Sequence, residues 1–252
     1  MQDNFSERIR KSARSHSSRI VLALDIVENK IEKLQPRAIS IINDLSPYLS
    51  SVKINFHLLL PLGFKDIARI NDVAHANGLQ TIADMKLNDI ASTNETAVNL
   101  LWRMGFDAII ATPFVGYDGA LDVVFKSALK AKNGVLLLVY MSHPASSDGY
   151  GLSIASPKRS LFEEFVSRAV AWKADGVVVG ANAPDRIAVV RRRIPKETLI
   201  FSPGVGVQGG DAKKSVQAGS DYLIVGRSIL ESSDPVEAAK RICRESLYRS
   251  FA

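Results

Sequence analysis

The chain has 252 residues, of which 46% are hydrophobic and 23% are charged, and its formal net charge at pH 7 is +6. This composition is typical of a globular protein with a sizeable core, in one or two domains. The apolar runs are too short to cross a bilayer, the first nineteen residues lack the apolar core of a signal peptide, and the single cysteine, Cys243, excludes an internal disulfide framework, so we expect a cytoplasmic protein.

The positive charge is concentrated in two places. Residues 1–19 contain five basic and two acidic side chains, which account for half of the excess. Arg191, Arg192 and Arg193 fall near the end of a predicted helix, where cations suit the negative end of the helix dipole. Because the sequence has neither a basic face with interleaved aromatic residues nor a known nucleic-acid-binding module, we expect a small anionic substrate rather than a nucleic acid.

Short runs rich in β-branched residues and leucine alternate with amphipathic segments along the whole chain. Most of these runs are apolar throughout, as expected for strands that are buried on both faces. The predicted strands are residues 20–24, 51–55, 79–83, 107–111, 135–140, 176–179, 199–202 and 222–225. Helices are predicted at residues 90–104, 160–174 and 235–247, and Gly78, Gly105, Gly134 and Gly219 are interpreted as helix ends.

Eight consecutive βα units without a break in composition predict one TIM (β/α)8 barrel over residues 20–252, with residues 1–19 as a short N-terminal extension. A doubly wound open sheet is the alternative. In a TIM barrel the C-terminal ends of the strands form the active site. The residues at the predicted ends are Asp25, Lys53, Asn55, Asp84, Lys86, Thr112, Ser142, Gly180, Asn182, Pro203, Gly204, Gly226 and Arg227.

The third predicted strand runs into the segment D-M-K-L-N-D at residues 84–89. Side chains two positions apart on an extended strand share a face, so Asp84 and Lys86 should project together, with Asp89 in the turn that follows. Charges beside an apolar strand usually form a pair or take part in chemistry. A salt-bridged strand end would give the same residues, so both interpretations are open.

The seventh predicted strand leads into the glycine-rich segment S-P-G-V-G-V-Q-G-G at residues 202–210. Its G-x-G-x-x-G pattern does not fit a dinucleotide fold, because Asp221, the acidic residue beside the following strand, lies at the start of that strand and not at its end. Glycine-rich loops after the last two strands of a TIM barrel instead bind phosphate, and Arg227 adds a guanidinium suited to it. Flexible turns with a solvated arginine are the alternative.

Together these residues resemble the orotidine 5′-phosphate decarboxylase family, over about residues 20–230. The most specific element is D-x-K-x-x-D-I-x-x-T at residues 84–93. The resemblance implies a TIM-barrel homodimer that converts orotidine 5′-phosphate to UMP in de novo pyrimidine biosynthesis, without a metal or an organic cofactor. The other segments that carry it are Asp25, residues 52–54, Ser142, residues 202–206, Gln208, Gly226 and Arg227.

The resemblance also implies a role for each side chain. Lys86 would protonate C6 of the pyrimidine as carbon dioxide leaves, and Asp84 would lie against the substrate carboxylate. Lys53 and Asp89 would complete a chain of alternating charges, with Asp89 and Thr93 reaching into the site of the other subunit. The remaining implied contacts are the ribose with Asp25 and Lys53, the pyrimidine with Ser142, the base and phosphate with Gln208, and the phosphate with Gly226 and Arg227, beside Pro203 and Gly204.

Two other functions are open. A 3-keto-gulonate-phosphate decarboxylase or hexulose-phosphate synthase shares D-x-K-x-x-D, but it holds magnesium with an acidic residue where the second strand ends. Lys53 lies in that neighbourhood, and its ammonium would repel a divalent cation, so it is the best discriminating residue. A non-enzymatic phosphate-binding protein is the second alternative, although it would not need the Asp84–Lys86 pair.

Overall fold

The computed structural model describes residues 3–156 and 158–247. Eight parallel strands form a closed barrel in which each strand pairs with its neighbours in the chain and β1 pairs with β8. The strands are β1 Ile20–Ala23, β2 Ser51–Ile54, β3 Gln80–Leu87, β4 Ala108–Ala111, β5 Gly134–Tyr140, β6 Gly176–Val179, β7 Leu199–Pro203 and β8 Tyr222–Val225. The TIM barrel is therefore confirmed and the open sheet is wrong; the end of the predicted 20–252 region, residues 248–252, lies outside the described residues.

Helices surround the barrel, and the ones predicted after β3, after β5 and at the end of the chain are all present. The helices are α1 Phe5–Ser15, α2 Leu34–Leu45, α3 Phe56–Leu59, α4 Phe64–Ala76, α5 Ala91–Arg103, α6 Asp122–Ala131, α7 Ser146–Tyr150, α8 Leu161–Ala171, α9 Pro184–Arg193, α10 Ala212–Ala218, α11 Arg227–Leu230 and α12 Pro235–Ser246. A two-stranded ribbon, Ser153–Ile154 with Arg159–Ser160, follows α7. None of the helices in the described ranges is long and apolar enough to span a membrane.

Two hydrophobic clusters explain why the strands are apolar throughout. Alternate residues of each strand face the barrel interior or the surrounding helices, so both faces are buried. In β1, Val21 and Ala23 belong to the interior cluster, whereas Ile20 and Leu22 belong to the cluster that the strands share with the helices. Burial on both faces removes the polar half of the alternating pattern that a half-exposed strand would show.

Helix α1 closes the lower end of the barrel, where the strands begin. A capping box at Asn4 starts the helix. Phe5, Ile9 and Ala13 are spaced four apart, so they lie on one face, and all three are fully buried in the interior cluster. The described part of the predicted N-terminal extension therefore forms part of the barrel core.

Arg8 fastens α1 to the strands above it. Its guanidinium donates to Gln80 Oε1 at 2.8 Å and to Asp107 Oδ1 at 3.1 Å. Asp107 Oδ2 in turn accepts from the backbone N–H of Thr81 at 2.8 Å and lies 2.8 Å from His75 Nε2. The hydrogen bond to Asp107 raises the pKa of His75, and it outweighs the opposing effect of burial. The charge of Arg8 is thus used inside the fold.

Asp107 is one of three aspartates that occupy equivalent positions at the lower end. Asp175 accepts from the backbone N–H of Val135 at 2.9 Å, and Asp221 accepts from that of Ile200 at 2.8 Å. Each aspartate directly precedes a strand and bonds to the second residue of the preceding strand. Burial raises the pKa of Asp175 and Asp221, against the lowering effect of these hydrogen bonds. The three carboxylates therefore continue the hydrogen bonding of the sheet at its lower edge, where the strands begin.

The sequence predicts a helix end at Gly134, and that prediction is wrong. It is the first residue of β5, and Lys132 instead takes the left-handed conformation that ends α6, with φ 59°. A Cβ at Gly134 would overlap the ring of Phe5, with Cγ only 2.7 Å away. The glycine is needed because α1 packs directly against the start of this strand.

We expect Phe5→Ala to lower the free energy of unfolding by about 3–5 kcal/mol, because it leaves a cavity in the barrel interior. Gly134→Ala should also destabilise the protein, since its methyl group collides with the Phe5 ring. In the double variant that methyl group enters the space the ring has left, so the combined loss should be smaller than the sum.

Chemical denaturation of the four proteins measures this coupling. Leu129→Ala is the control, because Leu129 is exposed on α6 and its loss should change stability little. Strictly additive losses would show that the Phe5 ring does not pack on Gly134.

Candidate active site

A cavity of about 250 Å³ opens at the upper end of the barrel, where the strands finish. Its floor is apolar, because it consists of the inward-facing residues Ala23, Ile110, Leu138, Val178 and Ile224. Its walls come from the residues that follow the strands. They are Asp25, Lys53, Asn55, Asp84, Lys86, Met141, Ser142, Pro203, Gly204, Val205, Val207, Gln208, Gly226, Arg227 and Ser228. All the residues to which the resemblance assigns a role, except Asp89 and Thr93, line this cavity, whereas the predicted strand-end residues Thr112, Gly180 and Asn182 do not.

Four charged side chains form a continuous chain along one wall. Lys53 Nζ lies 2.8 Å from Asp84 Oδ2 and 3.7 Å from Asp25 Oδ1. Lys86 Nζ lies 2.7 Å from Asp84 Oδ1. Both oxygens of Asp84 are therefore held by ammonium groups, and the order of charges is Asp25, Lys53, Asp84, Lys86.

Asp84 remains ionised although it is buried. Burial opposes its ionisation most strongly, but the ammonium groups of Lys53 and Lys86 together outweigh burial and hold the pKa of Asp84 below its usual value. The side chains of Asp84 and Lys53 are only 10% and 6% exposed, whereas that of Lys86 is 35% exposed. Lys86 is thus the more accessible of the two cations of this wall.

One carboxylate oxygen of Asp25 lacks a hydrogen-bond donor among the described residues. Its Oδ1 is buried, and within the described ranges it accepts no hydrogen bond; the nearest cation is the Lys53 ammonium at 3.7 Å. A buried carboxylate oxygen without a donor is unfavourable unless something supplies one. The hydroxyl group of a bound ligand could do so at this position.

The third strand is longer than predicted and reaches Leu87 instead of ending at residue 83. Its register against β4 shifts between Ala83 and Leu87, and Lys86 adopts a left-handed conformation with φ 48°. Asp84 and Lys86 do touch as predicted, but through a bulge and not through the regular alternation of an extended strand. A non-glycine residue in this conformation costs roughly 1–2 kcal/mol, and such strain is common at functional sites.

Asp89 and Thr93 lie outside the cavity, on the exposed surface at the start of α5. Asp89 Oδ1 accepts from the backbone N–H of Ile90 at 2.7 Å. The Asn94 side chain holds this turn by donating to the Asp89 carbonyl at 2.5 Å. The fourth member of the row of charged side chains is therefore Asp25, and the Asp89 carboxylate remains accessible from outside.

The opposite wall is a closed turn over residues 204–210. Gly204 and Gly206 have φ values of 96° and 81°, which favour glycine. The backbone N–H of Gly206 donates to the Gly210 carbonyl at 2.8 Å, and that of Gly210 donates to the Gly204 carbonyl at 3.0 Å. Arg227 is exposed beside this turn, and its guanidinium has no ion pair or hydrogen bond within the described part of the chain. This geometry favours an anion site over a flexible turn.

Ser142 and Gln208 join the two halves of the cavity. Ser142 Oγ donates to Gln208 Oε1 at 2.7 Å. A Cβ at Gly204 would lie 2.7 Å from that oxygen and 2.9 Å from Ser142 Cβ, so only glycine allows this close approach. Asn182 Nδ2 donates to the Ser142 carbonyl at 2.9 Å and holds the strand end in place.

The sequence analysis missed Met141 and Ser228, which both line the cavity. The only sequence signal for Ser228 is its position directly after Arg227. Asn55, a predicted strand-end residue, also lines the cavity, and its Oδ1 caps α3 by accepting from the backbone N–H of His57 at 2.9 Å. Among the described residues, no group of three or more His, Cys, Asp or Glu side chains is arranged to hold a metal ion.

Comparison with known proteins identifies relatives that share this architecture. A curated orotidine 5′-phosphate decarboxylase of Pyrococcus furiosus is 35% identical over 90% of this chain and 96% of its own length. The crystal structure of the enzyme of that name from Pyrococcus horikoshii covers 90% of this chain and 98% of its own, with a TM-score of 0.73 and 35% identity.

A third relative is orotidine 5′-monophosphate decarboxylase from Methanocaldococcus jannaschii, solved in complex with the inhibitor BMP. It has a TM-score of 0.77 and 28% identity, and the match covers 91% of this chain and 99% of that one. The model of the "Orotidine 5′-phosphate decarboxylase / HUMPS family" matches residues 18–242. The chain belongs to the orotidine 5′-phosphate decarboxylase / HUMPS family.

Proposed function

We propose that this protein decarboxylates orotidine 5′-phosphate to UMP, a step of de novo pyrimidine biosynthesis. The observation that carries the proposal is the chain of alternating charges from Asp25 to Lys86, which faces the glycine-rich turn and Arg227 across one cavity. Membership of the family and the names of the most similar relatives support the same activity.

The reaction must stabilise negative charge at C6 of the pyrimidine as carbon dioxide leaves. Enzymes lower such barriers by about 8–23 kcal/mol. We assign the proton donor as Lys86, because its ammonium is the accessible cation of the wall. Opposite charges ~4 Å apart interact by about 4 kcal/mol at an effective dielectric of 20, and a fixed ammonium needs no reorganisation as the charge develops.

Asp84 has two roles in this proposal. It orients both ammonium groups before the substrate binds, since each of its oxygens accepts from one lysine. It also lies against the substrate carboxylate, so its charge disfavours the bound carboxylate and favours the loss of carbon dioxide. The lowered pKa of Asp84 supports both roles, because only the ionised carboxylate could perform them.

The rest of the cavity binds the remainder of the substrate. Asp25, with its unsatisfied Oδ1, and Lys53 hold the ribose hydroxyls. Ser142 contacts the pyrimidine amide, Gln208 bridges the base and the phosphate, and Gly226 with Arg227 holds the phosphate beside Pro203 and Gly204. Phosphate binding far from C6 supplies interaction energy that can close the site over the reacting ring.

The proposed reaction uses no metal. The Lys53 ammonium lies between the carboxylates of Asp25 and Asp84, where a magnesium-dependent sugar-phosphate enzyme of this family would need acidic ligands around a cation. A divalent ion placed there would be repelled by Lys53. This local electrostatic arrangement favours the decarboxylase over the 3-keto-gulonate-phosphate decarboxylase or hexulose-phosphate synthase alternative.

We also propose that the protein acts as a homodimer in which Asp89 and Thr93 enter the partner's cavity. Their exposure outside their own cavity supports this arrangement. Large apolar side chains are exposed after three adjacent strands on the same side, namely Phe56 and Leu60 after β2, Ile90 after β3 and Phe114 after β4. An apolar surface of this kind is typical of a subunit interface.

The protein is further proposed to act in the cytoplasm, without nucleic-acid or membrane partners, and with residues 20–252 as the catalytic domain. The single cysteine supports a reducing compartment. In the basic N-terminal segment, Arg8 is engaged with Gln80 and Asp107 inside the fold, so this cation is not available to a polyanionic partner.

The first prediction is that UMP formation from orotidine 5′-phosphate survives exhaustive treatment with EDTA, because the lysines supply the positive charge at the reacting carbon. The assay follows UMP formation with and without the chelator, and 3-keto-gulonate phosphate is the comparison substrate. Turnover that requires added magnesium, or activity only on the keto-sugar phosphate, would favour the alternative enzyme.

A second prediction concerns Arg227. Arg227→Ala should raise the KM for orotidine 5′-phosphate about ten- to hundredfold, since charged hydrogen bonds contribute about 1.5–3 kcal/mol. Orotidine, which lacks the phosphate, should react nearly as it does with the unmodified enzyme. Arg192→Ala, at an exposed position of α9, is the matched control. An equal loss with both substrates would mean that Arg227 supports the fold.

The third prediction tests the shared site. Lys86→Ala should abolish turnover by removing the proton donor, and Asp89→Ala should do so by breaking the chain of charges from the other subunit. In a mixed dimer of the two variants, one cavity keeps its own Lys86 and receives an intact Asp89. Refolding the two inactive proteins together should therefore restore activity.

Recovered activity should come from one complete cavity in each mixed dimer, because the other cavity lacks both groups. Differently tagged subunits allow the mixed dimer to be isolated before assay. Verified mixed dimers that remain inactive would place Asp89 outside the partner's site.

A further inference from the structure

Ser228 connects the two loops that form the anion-binding end of the cavity. It follows Arg227 at the start of α11, and its side chain faces the turn that follows β7. Ser228 Oγ donates to the Val205 carbonyl at 3.0 Å and accepts from the Val207 backbone N–H at 3.2 Å. One hydroxyl thus bonds to the residues on both sides of Gly206.

The conformation of Gly206 depends on this arrangement. Gly206 has φ 81°, a left-handed conformation that favours glycine. A Cβ at this position would also overlap the Ser228 hydroxyl, with Ser228 Cβ 3.0 Å away. The turn therefore approaches the serine so closely that position 206 has no room for a side chain.

The bonded segment leads directly to Gln208. Val207 is the residue before it, and Gln208 Oε1 is already fixed by the Ser142 hydroxyl at 2.7 Å. Without Ser228, the turn would keep the bond to Ser142 and its own backbone hydrogen bonds, such as the one from Gly206 to the Gly210 carbonyl at 2.8 Å, but these do not reach α11. The distance between Gln208 and Arg227 would then no longer be set by a direct link between their two loops.

We propose that Ser228 is a positioning residue, which locks the turn over residues 204–210 to the start of α11 and so sets Gln208 and Arg227 at the spacing that a ligand phosphate requires. The inference rests on the proposed function, because it assumes that the phosphate of the substrate binds between these two side chains. Ser228 acts through its neighbours, since both of its hydrogen bonds go to the backbone of the turn.

The test uses Ser228→Ala in the full-length protein, with Ser40→Ala on the exposed face of α2 as the matched control. Ser228→Ala should raise the KM for orotidine 5′-phosphate about tenfold and change kcat less than twofold, whereas reaction of orotidine should be unaffected. Hydrogen exchange at the Val207 amide should become faster, because its acceptor is gone. Unchanged KM and unchanged exchange, with normal activity, would overturn the proposal.

A double variant separates positioning from direct contact with the ligand. If Ser228 acts by holding Gln208, then adding Ser228→Ala to Gln208→Ala should weaken UMP binding less than twofold further, as measured by calorimetry. A full additional tenfold loss would mean that the hydroxyl binds the phosphate itself, and the positioning role would be wrong.

The unmodified enzyme tests the underlying function separately. If it fails to form UMP from orotidine 5′-phosphate, then the proposed function is wrong, whatever the variants do. If it forms UMP, but Ser228→Ala lowers kcat/KM equally with both substrates, only the proposed positioning role of Ser228 is wrong.

Discussion

The buried carboxylate of Asp84 is the group on which the upper end of the barrel depends. An ionised carboxylate in an apolar strand end is unfavourable unless it is paired and hydrogen-bonded, and here each oxygen accepts from one lysine. Lys53 comes from β2 and Lys86 from β3, so the pairing depends on the register between these two neighbouring strands. Their parallel register places Lys53 opposite Ile82, which leaves Asp84 two residues further along. The bulge then lets Lys86 fold back onto the same carboxylate.

Whether a feature of the structure could be predicted from the sequence depends on whether it arises from residues that are close together in the chain. Strands such as β6 and β8 were predicted to the residue, because runs buried on both faces leave a strong apolar signal. The Asp84–Lys86 contact was also predictable, since only two positions separate the residues. The extension of β3 to Leu87 was not predictable from the sequence. It places Asp84 and Lys86 within a barrel strand, and the buried charge of Asp84 is compensated partly by Lys53, which is distant in the chain.

Features that depend on contacts between distant segments of the chain could not be predicted from the sequence. A helix of basic composition at residues 5–15 reads as an added segment, although Phe5, Ile9 and Ala13 fill the barrel interior. Gly134 reads as a helix end, although the Phe5 ring is the reason for it. In the same way, the role of Ser228 can be recognised only from its contact with Gly206 in the folded protein. In each case the deciding partner comes from another part of the chain.

The docking of α1 has a consequence for the order in which the protein folds. Arg8 donates hydrogen bonds to Gln80 and Asp107, which lie 72 and 99 positions later in the chain. Phe5 packs against Gly134 at the start of β5. During synthesis, the first helix therefore emerges long before the strands that it will close. Contacts of such sequence separation form late, because loop closure must precede them. The apolar face of α1 thus stays exposed to chaperones and to other chains through most of translation, until β8 completes the barrel and buries it.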